Sequence, residues 1–323
     1  MPEMSRAERI EIVAPARLHL GFLDLGGALG RRFGSLGLAI DGFDTRLRLT
    51  RADAPAASGP DAARALDYVA LAAAELRLSP NVQVAIAETA PAHAGFGSGT
   101  QLALAVATAL ARLNGIGVAA AELAQKLGRG ARSGIGVGLF EQGGFMVDGG
   151  RRDGGGIAPI IARLPFPAQW RLLLVLDPKL RGLHGRAESD AFAVLPPFSE
   201  ALSGRLCRDV LLRLLPGIVE HDFAAVSRSL GEIQHELGAY FSAVQDGRYT
   251  SPNVARALGE VAAHGIVGIG QSSWGPTGFA LVESATRAEA IAEELRTRGR
   301  HAAAELQFRV VAGANRGAAI SIT

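Results

Sequence analysis

The stretch PAHAGFGSGTQ, residues Pro91 to Gln101, is the most informative part of the sequence, because a glycine-rich turn here runs directly into a predicted helix. Gly95, Gly97 and Gly99 alternate with other residues, and an almost wholly apolar run from Gln101 to Leu113 follows. Glycine permits tight turns and close approach of the backbone to a ligand. The first turn of a helix presents unpaired N–H groups and the positive end of its dipole. The stretch therefore predicts a seat for an anion, most often a phosphate.

Two other interpretations of this loop must be weighed. The loop lacks the lysine of a P-loop, and the alternating strand from Val82 to Glu88, followed by Pro91, is unlike the opening of a dinucleotide-binding unit. Ser98 or Thr100 could also be present simply to cap the helix. His93, just before the glycines, could face the ligand or be an ordinary turn residue. The loop alone leaves phosphate binding and a plain helix start both open.

The composition predicts a soluble globular protein. Of 323 residues, 48% are hydrophobic and 20% are charged, and the formal net charge is +2. Lys126 and Lys179 are the two lysines, so nearly all basic residues are arginines, and they form no run interleaved with aromatic residues. Nucleic-acid binding is therefore not indicated.

We expect a cytoplasmic protein without a membrane segment. The first twelve residues are charged and lack the apolar core of a signal peptide, and no apolar segment reaches membrane-spanning length. The single cysteine, Cys207, excludes an internal disulfide and a cysteine-only metal site. Its amphipathic surroundings favour a buried structural thiol.

The pattern of predicted elements indicates an α+β fold. Helices and strands occur in clusters without strict alternation, which argues against a doubly wound sheet. Pro165 and Pro167 mark the best candidate boundary. We therefore expect an N-terminal domain of residues 1–165, which holds the glycine-rich loop, and a C-terminal α+β domain of residues 166–323.

Two polar clusters lie in the predicted N-terminal domain. In PARLHLGFLD, an extended chain would place Arg17 and His19 on one face, and Asp24 follows; a half-exposed edge strand is the alternative. In GRGARSGIGVGLFEQGG, Arg132 lies among glycines, which suits anion binding. Glu141 is the one carboxylate of that second block, and is either a metal or proton partner or an ordinary helix-end residue.

Two further clusters lie in the predicted C-terminal domain. In DPKLRGLHGRAESDAF, Lys179 and His184 follow a buried strand on what we predict to be a loop. Loops that leave strand ends often carry function, although such a charge cluster is usually just solvated. In GIGQSSWGPTGFAL, Ser272, Ser273 and Thr277 surround Trp274. A tryptophan is costly to expose, so we predict that it is packed or faces a ligand.

Together these clusters resemble the GHMP superfamily of small-molecule kinases. The phosphate loop of those kinases, P-x-x-x-G-L-G-S-S, is similar to PAHAGFGSG, and their first and last motifs are similar to APARLHLGF and GIGQSSWGPTG. The resemblance implies a two-lobed GHMP kinase-like fold with a ligand cleft between the lobes. However, Gly136 occupies the position of the catalytic Asp of mevalonate kinase-like members. The carboxylate that would activate a hydroxyl group is therefore missing.

A branch of that superfamily, the β-ribofuranosylaminobenzene 5′-phosphate synthase family, matches more closely. Six strings resemble it in order: PARLH, DL-x-G-x-x-GR, PAHAGFGSGTQ, GRGARSGIG, GLHG and QSSWGPTG, with Gly26 where that family's Asn is expected. The resemblance implies that phosphoribosyl pyrophosphate reacts with 4-aminobenzoate or 4-hydroxybenzoate, with loss of carbon dioxide and pyrophosphate, on the route to methanopterin. It also implies Mg²⁺ as cofactor and a homodimer.

The resemblance assigns roles to the candidate residues. Phosphate groups would be held by Gly95, Gly97, Ser98, Gly99 and Thr100, and their charge neutralised by Arg17, Arg132 and Lys179. Asp24 or Glu141 would place Mg²⁺ or stabilise the cation, and His19 completes the catalytic set. The aromatic acid would be bound by His184, Ser272, Ser273, Trp274 and Thr277. Two alternatives stay open, an ATP-dependent kinase that uses Asp24 or Glu141 as base and a non-catalytic phosphometabolite-binding relative.

Overall fold

The computed structural model describes residues 7–245, 247–298 and 306–323. The strands in these ranges are β1 (Arg9–Asp24), β2 (Gly34–Arg51), β3 (Ala56–Ser58), β4 (Val82–Glu88), β5 (Phe145–Asp148), β6 (Ile160–Leu164), β7 (Arg171–Leu176), β8 (Ile269–Gln271), β9 (Gly278–Val282), β10 (Gln307–Ala312) and β11 (Ala319–Ile322). The helices are α1 (Ala62–Leu76), α2 (Ser98–Leu113), α3 (Ala120–Lys126), α4 (Ile135–Gln142), α5 (Gly185–Val194), α6 (Glu200–Asp209), α7 (Leu215–Glu220), α8 (Phe223–Phe241), α9 (Pro252–Ala263) and α10 (Ala285–Arg298). A π-helical turn, Val210–Leu214, joins α6 to α7.

The first sheet is built on two long antiparallel strands, β1 and β2. Its order is β11-β1-β2-β4-β3, with β5 paired to β2 and β6 paired to β5. Helix α2 lies against β1 and β2 and is buried along most of its length. This follows from the sequence, because a helix that is apolar on every side must be covered on every side. The glycine-rich loop that precedes α2 is thereby anchored to the middle of the sheet.

The second sheet has the order β10-β7-β9-β8 and is antiparallel throughout. One hydrophobic cluster runs from the first sheet, through Leu18 and Leu38, to the second, through Leu172 and Phe279. The two halves of the chain therefore share a core. The mixture of helices with two sheets confirms the predicted α+β class.

The last strand returns to the first sheet. Strand β11 pairs with β1, with Ile322 opposite Ile10. Residues 319–322 thus belong to the sheet of the N-terminal half, although they lie beyond the boundary predicted at residue 165. Their side chains are exposed, so no buried pattern in the sequence could reveal this pairing.

Several elements differ from the sequence expectations. Helix α5 was predicted as loop, and none of its residues is buried, which explains why it shows no apolar periodicity. Helix α4 is short and glycine-containing, so its pattern was also too weak to predict. Cys207 is exposed rather than buried. No helix in the described ranges is both long and apolar enough to span a bilayer.

Candidate active site

The glycine-rich loop forms one wall of a cavity of about 410 Å³, hereafter the loop cavity. Gly95 and Gly97 have φ angles of +95° and +68°, a region that residues with a Cβ rarely adopt. Helix α2 begins at Ser98, and the Thr100 amide already donates to the Gly97 carbonyl at 3.0 Å, so the amides of Ser98 and Gly99 are the ones without an intrahelical acceptor. Gly95, Gly97, Ser98, Gly99 and Thr100 all line the cavity, as the sequence predicted for a phosphate site.

Three arginines from three separate elements face the loop cavity. Arg17 of β1 donates from Nη1 to the Gly95 carbonyl at 2.8 Å. Burial lowers the pKa of Arg17 to about 10, against the opposing effect of Glu188, so the guanidinium remains charged at neutral pH. Arg64 of α1 and Arg129, before α4, complete the set. Such a concentration of positive charge is suited to a ligand with several phosphate groups.

Sequence reasoning missed the contribution of α1. Arg64 is held by Asp61, with Nη1 and Oδ2 3.2 Å apart. Arg129 donates to the Tyr68 hydroxyl, and its guanidinium lies 5.1 Å from the centre of the Tyr68 ring. In the sequence both α1 residues look like ordinary positions of an amphipathic helix. Only the packing of α1 against α2 brings them to the loop.

Two histidines stack at the mouth of the glycine-rich loop. The ring centres of His93 and His184 lie 3.6 Å apart, at an interplanar angle of 26°, and both residues line the loop cavity. The Gly182 amide donates to the His93 carbonyl at 2.8 Å. His184 Nδ1 lies 3.0 Å from the Gly182 carbonyl oxygen. His184, predicted to bind substrate, is thus placed at the cavity, and His93 faces it too.

The QSSWGPTG turn joins the two halves of the chain at this site. The buried Ser272 hydroxyl donates to the Gly95 carbonyl at 2.7 Å and accepts from the His19 amide at 3.0 Å. Gly275 approaches the backbone of Gly95 so closely that a Cβ there would collide with it. The turn and the glycine-rich loop are therefore hydrogen-bonded and packed directly against each other.

The predicted substrate residues of this turn fall into two groups. Ser273 and Trp274 line the loop cavity, whereas Ser272 and Thr277 are fully buried and do not. The Trp274 ring packs edge-on against Phe192 and Phe241, at centroid distances of 5.4 and 4.6 Å. Its Nε1 is buried with no hydrogen-bond partner within the described residues.

His19 points to a second, smaller space. A cavity of about 30 Å³ is lined by His19, Trp274 and Phe241, among others. Burial, and secondarily the charge of Arg17, lowers the pKa of His19 to about 3, so the ring is neutral. Its Nε2, like the Trp274 nitrogen, has no partner in the described part of the chain. Arg17 and His19, which were predicted to point into one site, therefore line different cavities.

Arg132 holds α5 rather than lining the loop cavity. Its Nη1 lies 2.7 Å from a carboxylate oxygen of Glu188, and its Nη2 donates to Ser189 at 3.0 Å. The guanidinium also lies 4.8 Å from the centre of the Phe192 ring. Lys179 is exposed on the turn after β7 and does not line the cavity. Both were predicted to neutralise phosphate charge, and neither side chain lines the loop cavity.

Asp24 and Glu141, the two candidate metal ligands, lie away from the loop cavity. Asp24 Oδ1 accepts from the amides of Gly26 and Gly27, at 2.7 and 3.0 Å, and so forms a turn. Glu141 accepts from the amide of Ala120 at 2.9 Å, at the start of α3. The helix-end interpretation of Glu141 therefore applies. The described residues contain no group of three His, Cys, Asp or Glu side chains able to hold a metal.

Asp148 is a buried carboxylate that sequence reasoning missed. Its two oxygens accept from the hydroxyls of Ser35 and Ser133, at 2.6 and 2.9 Å, and from the amides of Ser35, Gly134 and Gly150. Burial raises its pKa, while these hydrogen bonds act in the opposite direction. Asp148 fixes the loop that carries Arg129 and Arg132. Its position at the end of an apolar strand gave no sign of this role.

Comparison with known proteins places the chain in a family. Residues 62–144 match the GHMP kinases N terminal domain, and residues 214–301 match GHMP kinases C terminal. A beta-ribofuranosylphenol 5′-phosphate synthase of Archaeoglobus fulgidus is 30% identical over 97% of this chain and 100% of its own. The chain belongs to this synthase family. A Methanocaldococcus jannaschii synthase of the same name is 31% identical over 84% of this chain and 88% of its own.

Solved structures confirm the GHMP kinase fold of this synthase family member. A homoserine kinase from Cytophaga hutchinsonii superposes with a TM-score of 0.68 at 18% identity, covering 99% of this chain and 100% of its own. A mevalonate diphosphate decarboxylase from Enterococcus faecalis gives a TM-score of 0.64 at 19% identity, covering 98% of this chain and 99% of its own. At these identities the likeness establishes the fold alone.

Proposed function

We propose that this enzyme joins phosphoribosyl pyrophosphate to 4-hydroxybenzoate or 4-aminobenzoate, with loss of carbon dioxide and diphosphate, in methanopterin-type cofactor biosynthesis. The names of its relatives specify a ribofuranosylphenol product, which favours 4-hydroxybenzoate as the acceptor. The resemblance of the motifs to the aminobenzene branch favours 4-aminobenzoate. Both acceptors present the same chemistry, an electron-rich ring carbon that bears a carboxylate.

The observation that carries this proposal is the charge of the loop cavity. Arg17, Arg64 and Arg129 surround the glycine-rich loop, and Glu188 is the carboxylate among the residues described as lining the cavity. The donor carries a diphosphate and a monophosphate, and therefore requires more positive charge than a singly phosphorylated ligand. As the diphosphate departs it gains negative charge, and fixed guanidinium and N–H groups stabilise that charge without reorganisation.

The kinase alternative lacks its catalytic carboxylate. Gly136, which occupies the position of that Asp, lies in α4 against Thr100 of the phosphate loop. A Cβ at Gly136 would lie 3.3 Å from Thr100 Cγ2. Gly136 therefore faces the loop from the position of the catalytic Asp, but it has no side chain that could activate a hydroxyl acceptor. The synthase needs no such base, because its acceptor attacks through a ring carbon.

The acceptor site that we propose is beside Trp274. Ser273 and Trp274 form the wall of the loop cavity that comes from the second half of the chain. The flat indole can pack against an aromatic ring. An anomeric centre with cationic character must be shielded from water, and the closely packed turn at Gly275 and Gly95 excludes water on this side. We assign Ser272 and Thr277 to holding the turn rather than to contacting the acid.

Mg²⁺ would enter this site with the donor rather than in a cage of protein ligands. Mg²⁺ commonly binds through substrate phosphates and only one or two carboxylates. Glu188 fits that role better than Asp24 or Glu141, because it lines the cavity and the other two carboxylates do not. When bound, the ion would neutralise charge on the diphosphate.

The test is release of labelled carbon dioxide. Purified protein is incubated with phosphoribosyl pyrophosphate, Mg²⁺ and carboxyl-labelled 4-hydroxybenzoate or 4-aminobenzoate, and ATP conversion is followed in parallel with each acid. Release that requires both substrates establishes the synthase, and the ratio of kcat/KM values identifies the acceptor. Conversion of ATP to ADP with a phosphorylated product, without carbon dioxide release, would instead establish a kinase.

A further inference from the structure

The stacked pair of His93 and His184 is not used by the function proposed above. One ring comes from the phosphate loop and the other from the GLHG segment, so the pair bridges the two halves of the chain at the loop cavity. His93 has a φ of +60°, an uncommon conformation for a residue with a Cβ, and its carbonyl accepts from the Gly182 amide. Both backbones are thus fixed so that the rings meet.

The hydrogen bond between His184 Nδ1 and the Gly182 carbonyl shows which ring nitrogen can take up a proton. A carbonyl oxygen only accepts, so Nδ1, 3.0 Å from the Gly182 carbonyl, must carry a hydrogen. In the neutral ring Nε2 therefore has the free lone pair. Protonation of His184 adds a hydrogen at Nε2 without disturbing the bond that orients the ring.

The surroundings of the pair disfavour a proton on His93 when no anion is present. Burial, then His184, Arg64 and Arg181, lower the pKa of His93, and Asp61 opposes them weakly. From the other elements that line the cavity, the charged side chains are Arg17, Arg129 and Glu188. Two imidazolium rings 3.6 Å apart would also repel each other. A bound polyanion reverses this balance and favours one proton on the pair.

We propose that the His93–His184 pair takes up one proton when the donor binds and delivers it from His184 Nε2 to the departing diphosphate. This inference rests on the proposed synthase function. The bond between C1 of the ribose and the diphosphate oxygen breaks, and its electron pair stays on that oxygen. The proton moves from Nε2 to a diphosphate oxygen, which leaves His184 neutral. The protonated diphosphate carries the proton away on release, and solvent supplies the next one on binding.

Proton uptake is measured by titrating the full chain with phosphoribosyl pyrophosphate, without an acceptor acid, at pH 7 in two buffers that differ in ionisation enthalpy. We expect wild type to take up about one proton more per site than His184→Gln. His93→Asn, which tolerates the left-handed backbone, should lose the same uptake. His235→Gln, an exposed histidine of α8, is the matched control and should behave as wild type. Equal uptake in wild type and both pair variants would overturn the proposal.

A second measurement covers the case in which a variant no longer binds the donor. The histidine ring resonances of the wild-type chain are followed by NMR during the same titration, and those of one ring, the ring that is absent from His184→Gln, should shift toward the protonated form. No such shift would overturn the proposal. In the carbon dioxide assay, His184→Gln should lower kcat by about 100-fold or more, the usual contribution of a general acid, with KM little changed. Carbon dioxide release without proton uptake would reject proton delivery by the histidine pair but keep the proposed synthase function. Proton uptake without carbon dioxide release would reject the synthase function alone.

Discussion

His19 shows how burial sets the charge of a single side chain. The ring lies beneath the QSSWGPTG turn, is 4% exposed, and has its pKa lowered to about 3 by burial and then by Arg17. In the unfolded chain a histidine has a pKa of about 6.5. Below that pH the unfolded state binds a proton that the folded state does not. Stability is therefore lost as the pH falls from about 6.5 toward 3.

We expect this effect to be measurable by urea unfolding at pH 7 and pH 5. His19 should account for a loss of about 2 kcal/mol in the free energy of unfolding between the two values. His19→Gln, which cannot titrate, should lose correspondingly less, whereas the exposed His235→Gln should retain the wild-type dependence. If wild type and His19→Gln lose the same amount, His19 is not the neutral buried group described here.

Arg17 combines two roles in one guanidinium, since it lines the loop cavity and donates to the Gly95 carbonyl. Arg17→Met keeps much of the length and removes the charge. We expect diphosphate affinity to fall by about 10- to 100-fold, because a charge-assisted hydrogen bond contributes about 1.5–3 kcal/mol. Arg48→Met, at an exposed position of β2, is the control. Calorimetric titration decides the matter, and equal affinity in the two variants would remove Arg17 from the site.

Helix α5 is an element held by few contacts. It has no buried residue, and Arg132 connects it to the first half of the chain through Glu188 and the Phe192 ring. Elements with few buried apolar contacts open locally at low cost. Because Glu188 lines the loop cavity, the position of α5 also determines how far the cavity is closed.

Removing the Arg132 contact should therefore loosen α5 without unfolding the protein. In Arg132→Gln we expect the amides of residues 185–194 to exchange hydrogen about 2- to 5-fold faster, and the KM for the donor to rise, because a partly exposed ion pair contributes about 0.5–1 kcal/mol. Arg186→Gln removes an exposed pair with Asp190 on the same helix and serves as control. Unchanged exchange in Arg132→Gln would mean that α5 is held by its other contacts.

The elements that the sequence predicted well are those with local signals. The glycine-rich loop and α2 are defined by neighbouring residues, and the structure places all five predicted loop residues at the cavity. Arg64 and Tyr68 could not be predicted, because only the packing of two helices places them there. Glu141 had the residue type of a metal ligand, but its partner is the amide of Ala120. Residue type alone does not distinguish a capping carboxylate from a ligand.

At the scale of the whole molecule, the candidate site lies where its two halves meet. The glycine-rich loop comes from the first half and the QSSWGPTG turn from the second, and the Ser272 hydroxyl bonds to both Gly95 and His19. The resemblance to known motifs indicated that these segments serve one site. It did not indicate that a serine holds these segments together. The hydrogen-bonded residues are 177 and 253 positions apart, and such distant contacts leave no pattern in the sequence.

Ser272→Ala should lower both the free energy of unfolding and the affinity for diphosphate, whereas the same substitution at a second buried serine should lower only the free energy of unfolding. Ser227 accepts from the Gly268 amide at 3.0 Å, within the second half alone, so Ser227→Ala is the matched control. Each substitution leaves a buried group unpaired and should lower the free energy of unfolding by about 1–3 kcal/mol. Only Ser272→Ala should also weaken diphosphate binding, because it frees the loop that carries Gly95. Urea unfolding and calorimetric titration of both variants test this, and equal diphosphate affinity in the two would show that the loop keeps its shape without the contact between the halves.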